Sequence, residues 1–382
     1  MQIIVLLLLL STMLMRPALL GESYTLLGVV LSGMTFILYL CINIRLIKIE
    51  GKLLKIFLIN SLYWFYLLIQ SLFIQDSNYV GILRDIIITL PVIFFVAVIF
   101  SNKKYSFYFG KNFILILYYL SISYLITLGL AFFIDIESLF LFQINIGEYF
   151  TGGNIYFPLT PIYGFMNVEG FSIIKFQSLF RESGISQAFI IWAIFNLKKF
   201  KLDKKIVYIA LHLGLIGTTS TAGLVTYFMT LLVYITLSKK ISVGRIINIL
   251  IIFLIGVLLV FKMPFFGFSN KINTHSDSIN ERTQITAGAL NDLILNPFGE
   301  GIKTTDLPNS GINMLSLSEK IGLVGLIILL ATFIYPYFIS RDKRGYMVSI
   351  LPILITALFS QPIAGYSIIA VISMLGMNDD ES

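Results

Sequence analysis

Two charged residues, Arg181 and Glu182, stand where a polar segment meets an apolar stretch that begins at about Gly184. Ionised side chains at the start of a membrane helix are costly unless they meet a partner or a ligand. The first N–H groups of the following helix, from Gly184 to Ser186, and the positive end of its dipole point towards the same place. The pattern predicts a site for a phosphate or another anion. An ion pair that only caps the helix and reaches the membrane interface is the alternative interpretation.

A second arginine, Arg282, lies in a stretch whose pattern predicts a short amphipathic helix leading to the turn at Asn296. This proline turn carries Gly299 and Gly301, whose backbone can approach a ligand closely. Two guanidinium groups from separate loops can clamp a pyrophosphate with paired hydrogen bonds, so we consider Arg181 and Arg282 together. A solvated surface arginine is the alternative for Arg282.

Hydroxyl-bearing and small residues form a third group, which includes Thr219 and Ser220 between two apolar stretches. Such residues allow helices to pack closely, and they can equally line a sugar or phosphate cavity, so both interpretations stay open. The single cysteine, Cys41, excludes a disulfide framework and a metal-thiolate cluster. The two histidines are too few and too far apart to indicate a metal site, so no metal is expected.

The composition indicates that apolar helices must position these residues. Of 382 residues, 57% are hydrophobic and only 12% are charged, with a mean hydropathy of +0.91. Soluble domains carry about 25% charged residues. Apolar runs of about 15 to 25 residues recur along the chain, which predicts an all-α polytopic membrane bundle. We expect a single integral membrane domain over 1–382 with about twelve transmembrane helices, within a range of eleven to thirteen. The N-terminal apolar stretch lacks a basic leader and is predicted to be a retained first helix.

The distribution of charge predicts the topology. Two thirds of the 27 lysines and arginines fall in five short loops, near 45–55, 101–111, 197–205, 239–245 and 341–345. By the positive-inside rule these loops and both termini are cytoplasmic, and the net charge of +7 is a topology signal, not a nucleic-acid surface. The basic residues assigned to the opposite face are Arg16, Arg84, Lys175, Arg181, Lys262, Lys271, Arg282, Lys303 and Lys320.

Two long loops on that opposite face, 135–183 and 264–311, form a roof over the predicted bundle. Neither has the composition of a linker. In the first, the run Gly170 to Phe180 is interpreted as a short interfacial helix. The second contains His275, Asp277 and Lys303 in addition to the residues named above.

The order of these features resembles the Wzy-type O-antigen polymerases and the related O-antigen ligases. The resemblance covers roughly 110–340. The segments that carry it are Phe180-Arg181-Glu182-Ser183-Gly184, Thr219-Ser220-Thr221-Ala222-Gly223, Arg282, Asn296-Pro297-Phe298-Gly299-Glu300-Gly301 and Glu319-Lys320-Ile321-Gly322-Leu323-Val324-Gly325. A ligase would be expected to have a histidine shortly before the last segment, where this chain has Pro308-Asn309-Ser310-Gly311, so the polymerase is favoured.

The resemblance implies a GT-C-like, metal-independent glycosyltransferase of lipopolysaccharide biosynthesis in the bacterial inner membrane, active on the periplasmic side. It would transfer a growing glycan from its undecaprenyl pyrophosphate to a new lipid-linked repeat unit, without a cofactor. The implied partners are these lipid-linked oligosaccharides, membrane lipid and a regulator of chain length; nucleic acid is not expected. A lipid-linked oligosaccharide flippase is the alternative, although no paired halves are evident. An O-antigen ligase is the second alternative.

On this interpretation, Arg181 and Arg282 would neutralise the pyrophosphate leaving group. Glu182, Asp277 and His275 are the candidate bases for the acceptor hydroxyl, and they are not ranked. Candidate substrate-binding residues are Gly184, Ser186, Thr219, Ser220, Asn296, Gly299, Gly301 and Lys303.

Overall fold

The computed structural model describes residues 1–43, 49–146, 152–168, 171–237, 243–262, 276–304 and 312–377. Over these residues the chain is mostly helical and contains one small sheet. The helices are α1 (Gln2–Met13), α2 (Gly21–Asn43), α3 (Gly51–Phe73), α4 (Tyr79–Phe100), α5 (Lys103–Leu130), α6 (Ser183–Asn196), α7 (Lys205–Gly217), α8 (Thr221–Thr236), α9 (Val243–Lys262), α10 (Ser276–Leu295), α11 (Met314–Ile339), α12 (Lys343–Phe359) and α13 (Ser367–Gly376). The strands are β1 (Phe140–Gln143), β2 (Asn154–Tyr156), β3 (Thr160–Val168) and β4 (Phe171–Phe176).

Five of the described helices, α2, α3, α4, α5 and α11, are long and apolar enough to cross a membrane, which supports a membrane protein. Others are shorter: α1, α6, α7, α8 and α13 have between 10 and 16 residues. At about 1.5 Å per residue these measure at most about 24 Å, less than the hydrocarbon thickness of about 30 Å. Twelve complete crossings therefore stay a prediction.

The short helix α6 lies inside the bundle, with nearly all its residues buried. Its Trp192 indole N–H donates to Ser349 Oγ of α12 over 2.9 Å. The ring of Phe189 stacks on Phe180, with 4.1 Å between the ring centroids. Because Phe180 belongs to the loop that precedes α6, this stacking fixes the position of Arg181 next to it.

Contacts between loops show which segments lie at each end of the bundle. At one end, the Glu50 amide donates to Ser101 Oγ over 2.9 Å, and Lys199 Nζ donates to the Gly376 carbonyl over 3.1 Å. The rings of Phe107 and Phe200, whose centroids are 5.9 Å apart, join the first pair of segments to the second. The basic loops at 45–55, 101–111 and 197–205 thus share one end, as their charge predicts.

Described segments of the two long loops lie at the opposite end of the bundle. Backbone bridges join Ala18 to Phe180, from the first long loop, and Ser77 to Lys303, from the second. The second loop contains the helix α10, twenty residues long, where a short amphipathic helix was predicted around Arg282. The two loops therefore share the end where the candidate chemistry was predicted.

The prediction of an all-α protein is wrong for the first long loop, which folds into a four-stranded antiparallel sheet in the order β1-β2-β3-β4. The segment Gly170 to Phe180, interpreted above as an interfacial helix, instead contains β4. Ile174 and Phe176 are buried, whereas Ile173 and Lys175 are partly exposed, so burial has a period of two. That period and the β-branched isoleucines favour a strand once β3 is present to pair with it.

A break in α11 receives the glycine-rich turn of the second long loop. Gly322 has φ 68° and ψ 178°, which interrupts the helix and exposes its backbone groups. The N–H groups of Glu300 and Gly301 donate to the carbonyls of Glu319 (3.0 Å) and Lys320 (2.9 Å). The turn thus supplies the hydrogen bonds that the broken helix lacks.

Side chains of α3 hold the same junction. Tyr66 Oη donates to the carbonyls of Ile321 (2.7 Å) and Phe298 (3.1 Å), and Gln70 Nε2 donates to the carbonyl of Lys320 over 2.8 Å. The turn, the broken helix and α3 form one joint, which positions Lys320 at the end of the bundle that carries the long loops.

Candidate functional site

The guanidinium of Arg181 is buried and bound to a carboxylate from near the N-terminus of the chain. Arg181 Nη1 lies 2.6 Å from Glu22 Oε1, in the first turn of α2. Arg16 Nε lies 2.9 Å from the second carboxylate oxygen, Oε2. The Arg181 and Glu22 side chains are only 0% and 6% exposed, whereas that of Arg16 is 32% exposed. One carboxylate therefore joins a buried arginine to a more accessible one.

Other groups fix Arg181 in the loop before α6. Its N–H donates to the Pro17 carbonyl over 3.1 Å, and its carbonyl accepts a hydrogen bond from Gln177 Nε2. Its guanidinium carbon lies 5.9 Å from the ring centroid of Tyr366. Burial by itself lowers the pKa of Arg181, but Tyr366 and the Glu22 carboxylate outweigh it, and the pKa is raised. The guanidinium is charged at any physiological pH.

A cavity of about 470 Å³ lies in front of this network, between the starts of α2, α4 and α11 and the last turns of α3. Its charged lining residues are Arg16, Glu22, Arg84, Asp85 and Lys320. Three cations thus face two carboxylates, and Arg181 adds a further positive charge behind Glu22. A site with this balance favours an anionic ligand.

The remaining wall of the cavity is aromatic and apolar, and includes Tyr63, Trp64 and Leu67 of α3. The indole Nε1 of Trp64 is buried and has no hydrogen-bond partner among the described residues. A buried donor without a partner is destabilising by about 1–3 kcal/mol unless a ligand or water accepts from it. The cavity therefore places the aromatic side chains of Tyr63 and Trp64 next to its cations, a combination suited to a phosphate that carries a sugar.

One wall of the cavity reaches the outer surface of the bundle at Leu26. Leu26 lines the cavity and is 72% exposed, in a helix apolar enough to cross a membrane. If α2 crosses the membrane, a leucine with this exposure is positioned to contact lipid. The cavity thus extends from its charged residues to an exposed apolar residue of a candidate membrane helix.

Three other predicted site residues lie beside Arg181. Glu182 precedes α6 and its carbonyl accepts from the Ser186 amide over 3.1 Å. Ser186 is buried, and its hydroxyl donates to the Gln177 carbonyl. A Cβ on Gly184 would lie 2.4 Å from Gln361 Nε2, so its lack of a side chain allows close packing there.

The predicted hydroxyl group lies against α6. Ser220 caps α8 by accepting from the Gly223 amide over 3.4 Å, and Thr219 is buried with a positive φ of 49°. A Cβ on Gly223 would lie 2.3 Å from Gln187 Oε1 of α6. Close packing of α8 on α6 accounts for the glycine, in agreement with the packing interpretation. Neither Thr219 nor Ser220 lines the cavity described above.

The predicted residues of the second long loop are distributed between the joint at Gly322 and the surface. Gly299 and Gly301 have φ angles of 77° and 79°, and a Cβ on Gly299 would lie 2.4 Å from the Gly322 amide nitrogen. The conformational freedom of these two glycines therefore allows the turn to pack closely against other parts of the protein. Asn296 is exposed, and Lys303 Nζ lies 3.1 Å from Glu300 Oε2 on the surface.

Of the two arginines predicted to clamp a pyrophosphate, the structure describes the side chain of Arg181 only. Arg282 and Asp277 belong to α10, but their side chains are outside the description, and His275 lies outside the described residues. Arg181 contacts Glu22, and it lies behind the cavity wall. Over the described part of the chain, no group of three or more His, Cys, Asp or Glu side chains is arranged to hold a metal ion.

Sequence reasoning missed most of the cavity. Arg16, Arg84 and Lys320 were recognised only as basic residues on the face opposite to the positive loops. Each stands at the edge of an apolar segment on that face, and this shared position was the available signal. Glu22 is an acidic residue at the start of an apolar helix. Like Arg181, it is a charged side chain that needs a partner or a ligand at that position.

Comparison with known proteins gives no relative: no protein-family model, curated protein or solved structure matches this chain.

Proposed function

We propose that this protein is an inner-membrane glycosyltransferase that polymerises lipid-linked oligosaccharide repeat units of O-antigen or a related surface polysaccharide. The donor is a glycan on undecaprenyl pyrophosphate, and the acceptor is a second lipid-linked unit. The site is on the periplasmic side, and both termini are cytoplasmic. The sequence resemblance described above supports this assignment, together with one structural observation.

That observation is the cationic cavity, whose lining includes Leu26, an exposed apolar residue of a helix long enough to span a membrane. A lipid-linked pyrophosphate has an anionic headgroup on a hydrocarbon tail, so it needs positive charge and access from the bilayer at the same place. Arg16, Arg84 and Lys320 supply the charge, and Leu26 marks the access. Trp64 and Tyr63 offer aromatic faces of the kind on which sugar rings pack.

In the reaction, an acceptor hydroxyl oxygen attacks the anomeric carbon as the bond from that carbon to the phosphate oxygen breaks. Negative charge develops on the departing lipid pyrophosphate, and cations held in place lower that barrier. The acceptor proton passes to a base. Of the two cavity carboxylates, Glu22 is held by two arginines, whereas Asp85 has Arg84 Nε at a looser 3.4 Å. Asp85 is therefore the better base among the cavity residues.

In this proposal Arg181 acts through Glu22. It holds the carboxylate, and the carboxylate holds Arg16 against the cavity. Arg282, Glu182, Asp277 and His275 keep the roles proposed from the sequence, which the described contacts leave open.

We expect Arg84→Gln and Lys320→Gln to lower kcat/KM for polymerisation at least about tenfold each, because each removes a charged contact worth about 1.5–3 kcal/mol. The measurement uses the purified protein in vesicles with undecaprenyl-pyrophosphate-linked repeats, and product length is read by gel. Arg84 is 66% exposed, so its loss should leave folding intact. Lys104→Gln, an exposed lysine at the other end of the bundle, is the matched control and should retain full activity.

Several results would contradict the proposal. If the wild-type protein makes no polymer but moves the lipid-linked repeats across the vesicle membrane, it is a flippase. If it transfers finished polymer only to a lipid A core, it is a ligase. If polymer forms equally well in both variants, the cavity is not the site of transfer.

A further inference from the structure

The turn between β2 and β3 presents apolar side chains to the outside of the protein. Phe157 is 49% exposed and Leu159 is 59% exposed. The edge strand β1 adds Phe140, Leu141 and Phe142, which are between 43% and 48% exposed. A contiguous exposed apolar surface on an edge strand is an aggregation hazard in water. Such a surface needs a stable apolar environment.

The helix α5 shows where this surface lies along the membrane normal. Lys111 is its last charged residue, and the chain then carries no charge until Asp135. Thr127 is sixteen residues beyond Lys111, or about 24 Å at 1.5 Å per residue. Phe132 and Phe133, 80% and 88% exposed, follow the end of the helix. Because the hydrocarbon layer is about 30 Å thick, Thr127 lies within it and these two phenylalanines lie at its far boundary.

Hydrogen bonds place the β2–β3 turn at the depth of Thr127. Thr127 Oγ1 donates to the Phe157 carbonyl over 2.7 Å, and the hydroxyls of Ser123 and Thr160 are 2.7 Å apart. Ser123 is one turn further into the layer than Thr127. The turn is therefore not an aqueous loop above the bilayer but lies beside the last third of a spanning helix.

The backbone of the turn suits an environment without water. The Phe157 amide donates to the Leu139 carbonyl over 2.8 Å, and its own carbonyl accepts from Thr127. Pro158 has no N–H to satisfy. Each backbone N–H or carbonyl left unpaired in the hydrocarbon layer is strongly destabilising. Both backbone groups of Phe157 are paired, and Pro158 lacks a donor, so this turn has fewer unpaired backbone groups than an ordinary loop.

We propose that the Phe157–Leu159 turn, together with the exposed face of β1, inserts into the lipid leaflet at the long-loop end and contacts acyl chains directly. The sheet is then a lipid-contacting element of the membrane domain. This proposal rests on depth, exposure and hydrogen bonding, and it is independent of the reaction that the protein catalyses.

The test places a fluorophore at the turn. In a Cys41→Ser background, which removes the single cysteine, Leu159→Cys is labelled with an environment-sensitive NBD group in phosphatidylcholine vesicles. Quenching is measured with lipids carrying a nitroxide on the acyl chain, and with aqueous iodide. Ile126→Cys, 44% exposed on α5 at the same depth, is the lipid control, and Glu300→Cys, exposed on the second long loop, is the aqueous control.

We expect the label at 159 to match that at 126: nitroxide lipids quench it within about twofold of the lipid control, and iodide has little effect. Quenching by iodide as strong as at 300 would overturn the proposal. Protection from both quenchers would also overturn it, since a second copy or another protein would then cover the turn. Phe157→Cys repeats the measurement if the Leu159 variant is not monodisperse.

Discussion

Replacing Glu22 with glutamine is expected to destabilise the protein by about 3–5 kcal/mol, because it removes one charge of a buried ion pair with Arg181. Arg181 is 0% exposed and only 2.6 Å from Glu22, so water cannot replace the lost charge. Arg16 loses its anchor in the same variant. The measurement is thermal unfolding of the purified protein in detergent, where the melting temperature should fall by several degrees.

A matched control is available in Glu300→Gln, whose partner Lys303 lies 3.1 Å away with both side chains more than 40% exposed. Exposed pairs contribute at most about 1 kcal/mol, so this variant should melt close to the wild type. The double variant Glu22→Gln, Arg181→Gln should recover part of the lost stability because no buried charge remains. If Glu22→Gln is as stable as the wild type, Glu22 is not the essential counter-charge of Arg181.

The second large effect is expected at the break in α11. Gly322→Ala would place a Cβ 2.3 Å from the Phe298 carbonyl carbon and 2.4 Å from the Gly299 amide nitrogen. Both are backbone atoms, which cannot rotate away. The backbone angles at Gly322 are also in a region that only glycine adopts readily. Strain and overpacking together should destabilise the protein by about 4 kcal/mol.

This destabilisation has a functional consequence. The joint between the glycine-rich turn and α11 positions Lys320, so on the proposed function Gly322→Ala should reduce polymerisation even where some folded protein remains. Gly129→Ala is the control: it lies in the spanning helix α5, a Cβ there meets no atom within 4 Å, and its effect should stay within about 1 kcal/mol. A Gly322→Ala protein with wild-type stability and activity would show that the turn does not need to dock closely.

These expectations change the interpretation of a mutation at Arg181. Substituting it would remove activity whether or not it contacts the ligand, because its burial makes it structural. Arg84 and Lys320 separate the two effects better, since they line the cavity and are more accessible. The first functional test is therefore better made on residues other than the arginine that the sequence motif identifies.

Composition and local pattern were sufficient for the general architecture. The long apolar runs predicted a helical membrane protein, and five described helices are long enough to cross a bilayer. The short basic loops predicted which loops share one end. The position of Arg181 at the start of an apolar helix predicted that it needs a partner or a ligand, and the sequence pattern favoured an anionic ligand. These three predictions depend on the free energy of placing single residues or short segments in lipid. They can therefore be made from local sequence alone.

Pairings between distant segments were decided only by the tertiary structure. The partner of Arg181 is Glu22, 159 residues away in sequence, and neither residue specifies the other by local pattern. The sequence did not identify the strand at Phe171–Phe176 because phenylalanine and isoleucine are common in membrane helices as well as in strands. This segment is a strand because it pairs with β3. Gly299 predicted a turn whose backbone can approach another group closely. The break in α11 at Gly322 decided that this group is the protein itself and not a ligand. Hydropathy and charge act locally and are carried by the sequence itself, whereas close packing and ion pairing depend on which surfaces the completed fold brings into contact.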